Sequence, residues 1–182
     1  ARALAPRPRL LLLDEPLSNL DTSLREALKD ELRGFLATLP MGAIYVTHDQ
    51  GEAFSLAGTV ALMRAGRIVR VGTSEELLAD PGSVWAARFL GHENVYEGAD
   101  AARLPLRAQA VLLRTERTAL ARAGDGTPVR VAGATRDGLA WRLALHAPEW
   151  GVEVVWRGFD RELPGAPAVG AELGLVVPEG AW

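Results

Sequence analysis

The stretch from Arg9 to Asp21, RLLLLDEPLSNLD, places the tightest constraint on how this chain can fold. Leu10 to Leu13 are four consecutive leucines without polar alternation, which predicts a central parallel β-strand buried on both faces. Asp14 and Glu15 follow directly. Because an unpaired charge there would cost several kcal/mol, both carboxylates need a cation, a hydrogen-bond donor or a reacting group. In open α/β sheets, ligands bind at this carboxyl edge.

A helix and a second buried strand follow this stretch. Apolar residues recur near the 3.6-residue helical period at Leu24, Leu28, Leu32, Phe35, Leu36 and Leu39. Ser23 and Glu26 have the spacing of a capping box at the start of the helix. The run from Ala43 to Val46 predicts the second strand, and the βαβ unit predicts parallel strands with a right-handed crossover. The ends of the two strands, with Asp14 and Glu15 on one and His48 on the other, should therefore be neighbours.

Two linked motifs resemble those of a known protein family. Four apolar residues before Asp14 and Glu15 match the Walker B pattern of nucleotide-hydrolysing proteins. With Pro16, the run Ser18 to Asp21, and Thr47-His48-Asp49 after the next strand, the chain resembles the ATP-binding subunit of ABC transporters. The order of the motifs is the one expected for that family.

The resemblance implies a role for each acidic and imidazole group at the strand ends. Asp14 matches the aspartate that holds Mg²⁺ through its water shell, and Glu15 matches the carboxylate that polarises the attacking water. His48 matches the switch histidine, which donates to the γ-phosphate of ATP or holds the carboxylate and water in register. The alternatives are a helix N-terminal charge for Glu15 and a capping or surface residue for His48.

The resemblance also assigns the segment that follows Pro16. Ser18, Asn19, Leu20 and Asp21 match the D-loop, which in the family crosses the interface between two ATPase subunits. An ordinary turn in which Asp21 caps the next helix is the alternative, and both can hold together. Ser23 is explained by capping alone.

The remainder of the chain falls into two parts that differ in predicted secondary structure. Asp49 can cap a short helix, Thr59–Met63 and Arg67–Val71 predict a hairpin, Thr73 or Ser74 caps another helix, and Val84–Leu90 predicts a further one. The segment MRAGRIVRVGTSEELLADPGSVWAARFLG resembles the end of the nucleotide-binding domain of importer-type ABC subunits. Residues 1–91 are therefore predicted to be the C-terminal part of that α/β domain, a partial P-loop NTPase-like parallel sheet with helices.

Short β-rich runs dominate after Gly91. They are Ala110–Leu113, Val129–Ala132, Leu139–Leu145, Val152–Trp156 and Leu173–Val177, separated by Gly, Pro and Asp. Five short strands in this length predict a small all-β barrel of the OB type. Importer ATPase subunits carry such a domain, called TOBE, and Asn94–Gly98 resembles its first strand, so residues 92–182 are predicted to be a TOBE/OB-like domain.

Composition narrows the function classes. With 48% hydrophobic and 24% charged residues and a formal net charge of -3, the 182-residue chain is typical of a globular protein without the basic surface of nucleic-acid binders. It contains no cysteine, which excludes thiolate chemistry and disulfides. No apolar run approaches the roughly twenty residues of a membrane span.

The other histidines and the tryptophans are interpreted as structural. His92 and His146 are expected to be structural or solvated, and the three histidines lack metal-ligand spacing. Scattered tryptophans in a small β domain are usually core residues, which is the interpretation adopted for Trp85, Trp141, Trp150 and Trp156.

The resemblance finally implies a picture of the intact protein. The GxxxxGK[ST] loop, the glutamine loop and the LSGGQ signature do not occur in these 182 residues, so this chain alone is expected not to hydrolyse ATP. The intact ATPase is expected to bind ATP and Mg²⁺, to form a homodimer, and to lie in the cytoplasm on the inner face of the membrane against transmembrane permease subunits. A solute-binding protein would be an indirect partner, and nucleic acid would not be a partner.

The cargo and two rival functions stay open at this stage. The junction around Phe89–Val95 and the single short barrel resemble importers of molybdate, tungstate, sulfate, iron or polyamine more than sugar importers. One rival is a regulatory, ligand-sensing module without its own ATPase activity. The other is an ABC ATPase of DNA maintenance, which the absence of a coiled-coil heptad run and of a basic stripe disfavours.

Overall fold

The computed structural model describes residues 8–18, 20–106, 108–165 and 167–182. The protein is a mixed α/β chain that divides into two compact units, Ala1–Gly82 and Ser83–Trp182. The helix Val84–Phe89, named α4 below, therefore belongs to the second unit, although the sequence predicts a domain boundary at Gly91. No helix in the part of the chain that the structure describes is long and apolar enough for a membrane crossing.

The first unit is built on two parallel strands. Strand β1 (Leu10–Asp14) and strand β2 (Gly42–Val46) pair in parallel, with helix α1 (Thr22–Thr38) between them in sequence. The register aligns Leu10 with Gly42 and Asp14 with Val46. The predicted parallel pairing is thus confirmed, and both carboxyl ends lie at one edge.

Strand β1 is not buried on both faces, so that prediction is wrong for the described residues. Leu11 is buried, whereas Leu10 and Leu12 are 54% and 65% exposed. On the same face of β2, Ile44 and Val46 are also exposed. A strand is buried on both faces only when another layer packs on each face. Among the described residues, no layer packs on the face of the two-stranded sheet that carries Leu10 and Leu12.

Helix α1 begins two residues earlier than the Ser23–Glu26 capping-box spacing predicts. The Asp21 carboxylate is the N-cap and accepts from Leu24 N at 2.9 Å. Ser23 Oγ donates to the same carboxylate at 2.8 Å instead of capping the helix itself. The predicted Ser23–Glu26 box is therefore wrong, because the acidic side chain two residues earlier already satisfies the first free N–H groups. These donors lower the pKa of Asp21.

The remaining elements of the first unit match their predicted positions. Helix α2 is Gln50–Leu56, strands β3 (Val60–Arg64) and β4 (Arg67–Gly72) form the hairpin, and helix α3 is Ser74–Ala79. Ala65 and Gly66 have φ of 49° and 74°, which matches the right-handed twist that a two-residue hairpin turn requires. Asp49 caps α2, and Thr73 caps α3 in a capping box with Glu76. The predicted hairpin and helix caps are confirmed.

The second unit is rich in strands. Its helices are α4 (Val84–Phe89) and α5 (Gly98–Arg103), and its strands are β5 (Val95–Glu97), β6 (Ala110–Leu112), β7 (Ala119–Arg122), β8 (Thr127–Asp137), β9 (Ala140–Ala147), β10 (Val152–Phe159) and β11 (Glu172–Val176). Two short 3₁₀ turns cover Thr115–Arg117 and Asp160–Glu162. An antiparallel sheet has the strand order β10-β9-β8-β11-β7, and β5 pairs separately with β6.

The five-stranded sheet is open within the described residues rather than a closed barrel. Its edge strand β10 meets polar side chains instead of a further ladder strand. Asn94 Nδ2 donates to Val155 O and Asn94 Oδ1 accepts from Val155 N, both at 2.7 Å. Tyr96 Oη donates to Glu153 O at 2.7 Å. Side-chain groups therefore satisfy backbone groups at this edge and limit its exposure.

One continuous core holds the second unit together. Inward-facing residues of β8, β9, β10 and β11 contribute to it together with residues of β5, β6, β7 and α5, and its fully buried large side chains include Trp156, Leu143, Leu145, Val154 and Leu175. Trp150 and Trp156 are buried, as expected for core tryptophans, whereas Trp85 and Trp141 are only partly buried. The sequence analysis does not predict strand β7 or helix α5.

Candidate active site

The loops that follow β1 and β2 bring a carboxylate and an imidazole together. Glu15 N donates to Val46 O at 2.8 Å, which extends the strand pairing by one residue. Beyond it, His48 Nδ1 lies 3.0 Å from Glu15 Oε1, within hydrogen-bonding distance. The predicted proximity of His48 to the end of β1 is confirmed. Two residues that are distant in sequence thus share one hydrogen bond at the edge where ligands bind in α/β sheets.

The backbone at Glu15 is strained. Its φ is 45°, in the left-handed region that side chains other than glycine seldom adopt, at a cost of order 1–3 kcal/mol. The Glu15 carbonyl accepts from Ser18 N at 3.3 Å and from Ser18 Oγ at 2.9 Å, so the following turn holds this conformation. The chain therefore leaves the line of the strand at Glu15, and strain of this kind clusters at functional sites.

Asp14 is the last residue of β1 and has an exposed side chain. Its carboxylate offers the hard oxygen that Mg²⁺ prefers, and Mg²⁺ sites combine one or two carboxylates with waters and substrate phosphates. The described residues contain no group of three or more acidic, histidine or cysteine side chains that could hold a metal by themselves. A single accessible carboxylate fits an ion that relies on water and phosphate for its other ligands.

The Glu15–His48 pair changes the titration of the imidazole. The hydrogen bond that the imidazole donates to the Glu15 carboxylate, followed by the charge of that carboxylate, raises the pKa of His48 above the ordinary histidine value. The side chains are 75% exposed for His48 and 45% exposed for Glu15, so water screens the pair. Any stability it contributes is present below the ordinary histidine pKa and is lost as pH rises through the raised value. The pair is accessible to a ligand from solvent.

The short helix that follows His48 carries a buried carboxylate. Glu52, in α2, is 4% exposed and accepts hydrogen bonds from Tyr45 Oη at 2.9 Å and Thr47 Oγ1 at 2.8 Å. Desolvation, together with the bond to Glu52, raises the pKa of Tyr45. Sequence interpretation treats Glu52 only as a residue of a short helix. Its position three residues after Asp49, on a helix that Asp49 caps, is the signal that could have pointed to it.

The predicted D-loop residues lie next to this site in part. Ser18 holds the Glu15 carbonyl, and Asp21 caps α1, while Asn19 lies outside the described residues. Leu20 O accepts from Arg25 Nη2 at 3.0 Å, and Arg25 Nη1 lies 4.0 Å from Asp49 Oδ2. Arg25 therefore joins the segment after β1 to the segment that carries His48, a link that sequence interpretation did not identify.

Comparisons with known proteins agree with these motifs. The chain is 41% identical over 189 aligned residues, 96% of its length, to the Fe(3+) ions import ATP-binding protein FbpC of Streptomyces coelicolor. It is 59% identical to the protein of the same name from Streptomyces avermitilis over 52% of this chain and 28% of the relative. It is 46% identical to the spermidine/putrescine import ATP-binding protein PotA 1 of Pseudomonas aeruginosa over 53% of this chain and 26% of the relative.

The chain spans about half the length of the relative that it matches most fully, since the alignment covers 53% of the Streptomyces coelicolor protein. No protein-family model matches the chain.

Proposed function

Because the chain is homologous to the ATP-binding subunits of ABC importers, we propose that it forms part of an ATPase that couples ATP hydrolysis to solute uptake. The observation that carries the proposal is the 3.0 Å contact between His48 Nδ1 and Glu15 Oε1. This contact joins the two motifs on which the resemblance depends. It lies in loops at the carboxyl edge of two parallel strands, where α/β proteins bind their ligands.

Glu15 is the group that activates water in this proposal. Its carboxylate accepts a proton from the attacking water while the water oxygen bonds to the γ-phosphorus and the bond to the ADP oxygen breaks. The strained backbone at Glu15 supports the assignment, because it turns the side chain out of the strand line. A helix-terminal charge would not require this conformation.

His48 supplies a hydrogen bond to the phosphate in the same proposal. Nδ1 faces the Glu15 carboxylate, which leaves Nε2 as the ring nitrogen directed at a γ-phosphate oxygen. The raised pKa of His48 favours the protonated imidazole, and a charged donor suits the negative charge of the phosphate. Glu15 therefore both orients the ring and increases its capacity to donate.

Asp14 is the residue that would hold Mg²⁺, through a coordinated water. When bound, Mg²⁺ neutralises phosphate charge during phosphoryl transfer. The exposed carboxylate at the end of β1, one residue before Glu15, fits this role.

The further parts of the assembly are proposed from the same homology. Ser18, Asn19, Leu20 and Asp21 would form the D-loop at the interface of a homodimer, whose other partners would be transmembrane permease subunits and, indirectly, a solute-binding protein. The ATPase would lie on the cytoplasmic face of the membrane. The exposed apolar face of β1 and β2 supports a further layer of the P-loop-type domain over these strands.

The domain assignment and the cargo are also proposals. Residues 1–91 would complete the nucleotide-binding domain, and residues 92–182 would form a TOBE/OB-like domain, for which the antiparallel five-stranded sheet is the support. The names of two relatives specify Fe(3+) ions and that of a third specifies spermidine and putrescine. We favour iron as the cargo, ahead of polyamine and of the oxyanions that the sequence suggested.

Replacement of the histidine tests this function. In the full-length protein that contains this chain, His48→Ala should retain ATP binding and lower the ATP turnover rate by about 10²–10³, the effect of removing one donor to transition-state charge. His146→Ala is the matched control, since His146 is an exposed histidine of β9. Equal turnover for His48→Ala and the unmodified protein would contradict the proposal.

A further inference from the structure

Glu52 is the one charged side chain among the described residues that is buried, at 4% exposed. A buried carboxylate is costly unless hydrogen bonds satisfy it. Here two hydroxyl groups, Tyr45 Oη and Thr47 Oγ1, donate to the same oxygen, Oε2, at 2.9 and 2.8 Å. One donor lies in β2 and the other lies just beyond its end, so the carboxylate fixes the point where the chain leaves the strand.

Thr47, before His48, links the Glu52 carboxylate to Asp49, after His48. Its hydroxyl donates to Glu52 and also accepts from Asp49 N at 3.0 Å. Asp49 Oδ1 in turn accepts from Glu52 N at 2.9 Å. The residues on both sides of His48 are therefore bonded into a ring of hydrogen bonds that closes on Glu52, while the imidazole itself remains outside the ring.

We propose that Glu52 is a positioning residue that acts through Thr47 to hold the 47–49 segment so that His48 Nδ1 meets the Glu15 carboxylate. The proposal rests on the proposed function of the Glu15–His48 pair and deepens it. Among the described residues, the hydrogen bonds of the Glu52 carboxylate come from Tyr45 Oη and Thr47 Oγ1 and not from the Glu15–His48 pair.

A purely structural role would have a different consequence. A carboxylate that only stabilised α2 would alter the free energy of unfolding when replaced, but the folded protein would keep the Glu15–His48 contact. A positioning role predicts that the contact itself is lost in the folded protein. The contact raises the pKa of His48, so the NMR titration midpoint of the His48 ring reports it directly.

The test must distinguish two effects on the His48 pKa: the charges near the imidazole and the position of the ring relative to Glu15. Glu15 has the largest influence on His48, and Asp49 and Glu52 add smaller effects of the same sign. Glu52→Gln removes a charge as well as an acceptor. Thr47→Val keeps every charge and the branched shape but removes the hydroxyl that connects Glu52 to Asp49 N, so it isolates the positioning effect and supplies a second variant if Glu52→Gln does not fold.

The experiment is a histidine titration of the 182-residue chain in five forms: unmodified, Glu15→Gln, Glu52→Gln, Thr47→Val and Thr73→Ala. The His48 signal is assigned from its loss in His48→Gln. We expect Glu15→Gln, Glu52→Gln and Thr47→Val each to lower the His48 midpoint, with the smallest decrease for Thr47→Val because it keeps every charge. Thr73→Ala, which removes the cap of α3, should leave the midpoint unchanged.

Each other outcome has a defined meaning. If Glu15→Gln lowers the midpoint but Thr47→Val leaves it at the unmodified value, the positioning role of Glu52 is overturned, and any effect of Glu52→Gln is one of charge. If Glu15→Gln leaves the midpoint unchanged, the Glu15–His48 pair of the proposed function fails instead. In the full-length protein, Thr47→Val should lower kcat for ATP without raising KM, whereas equal kcat would contradict the proposal.

Discussion

Two carboxylates, one in each compact unit, differ in their hydrogen-bond partners and in the conformation of their backbone. Glu93, in the second unit, is bonded on both oxygens: Arg142 donates to Oε1 from Nε at 3.0 Å and Nη2 at 2.8 Å, and Arg157 donates to Oε2 at 2.9 Å. Glu15, in the first unit, has one imidazole at 3.0 Å from Oε1 and sits on a strained backbone.

The difference separates a structural ion pair from a group available for chemistry. The Arg157 and Arg142 guanidinium groups hold the pKa of Glu93 below its usual value, against the opposing effect of burial, and keep the carboxylate ionised. Within the described ranges, the Glu15 carboxylate has His48 as its one hydrogen-bond partner, and its backbone conformation is unfavourable. The arrangement of Glu93 favours stability. The arrangement of Glu15 leaves a carboxylate that a reacting water and a phosphate can use.

The largest stability effect should come from the core of the second unit. Leu143 is fully buried, so Leu143→Ala should lower the free energy of unfolding by about 2–5 kcal/mol. Leu12, on the exposed face of β1, is the matched control, and Leu12→Ala should change that free energy by no more than about 0.5 kcal/mol. Denaturant unfolding of the 182-residue chain, in which this face of β1 is exposed, measures both. A larger loss for Leu12→Ala would contradict the described exposure of β1.

A smaller effect is expected at the start of α1. Asp21→Ala removes the N-cap acceptor of Leu24 N and should lower the free energy of unfolding by about 1 kcal/mol. Asp30→Ala, an exposed substitution inside the same helix, is the control and should be neutral or slightly stabilising. If Ser23→Ala proved more damaging than Asp21→Ala, the cap would be misassigned.

The smallest effect concerns the ion pairs of Glu93. Glu93→Gln should lower the free energy of unfolding at neutral pH by no more than about 1 kcal/mol, since the partners are partly exposed. Because the pKa of Glu93 is lowered in the folded state, its contribution is present above the ordinary carboxyl pKa and is lost as pH falls through the lowered value. Unfolding of both forms at neutral pH and at roughly pH 3 tests this, and a difference that grows on acidification would contradict it.

The sequence allowed the framework of the candidate site to be predicted correctly. Four leucines followed by Asp14 and Glu15, a periodic helix and a second apolar run were sufficient for parallel strands with His48 near their ends. The resemblance to ABC importer ATPases is confirmed by the relatives. These successes depend on local patterns and on the rule that two strands joined through a helix pair in parallel.

Most of the wrong or missing predictions concern features that depend on tertiary contacts. Burial of β1 depends on a layer that a strand's own sequence cannot supply. The helix cap was a local ambiguity: the sequence offered both Asp21 and Ser23, and the structure selects Asp21. Strand β7, Ala-Leu-Ala-Arg, has the composition of a helix and becomes a strand because β11 pairs with it. The spacing from Asp49 could point to Glu52 in the sequence, but its hydrogen bonds to Tyr45, in β2, and to Thr47, just after β2, depend on the tertiary structure.

The comparison between the two carboxylates also gives the most direct test of the central claim, that Glu15 activates water for ATP hydrolysis. ATP turnover by the full-length protein is measured for Glu15→Gln and Glu93→Gln at saturating ATP, with ATP binding measured in parallel. The account predicts that Glu15→Gln still binds ATP and loses at least about a hundredfold in turnover, the contribution of a general base, while Glu93→Gln keeps the unmodified rate. Unchanged turnover in Glu15→Gln, or an equal loss in both variants, would contradict it.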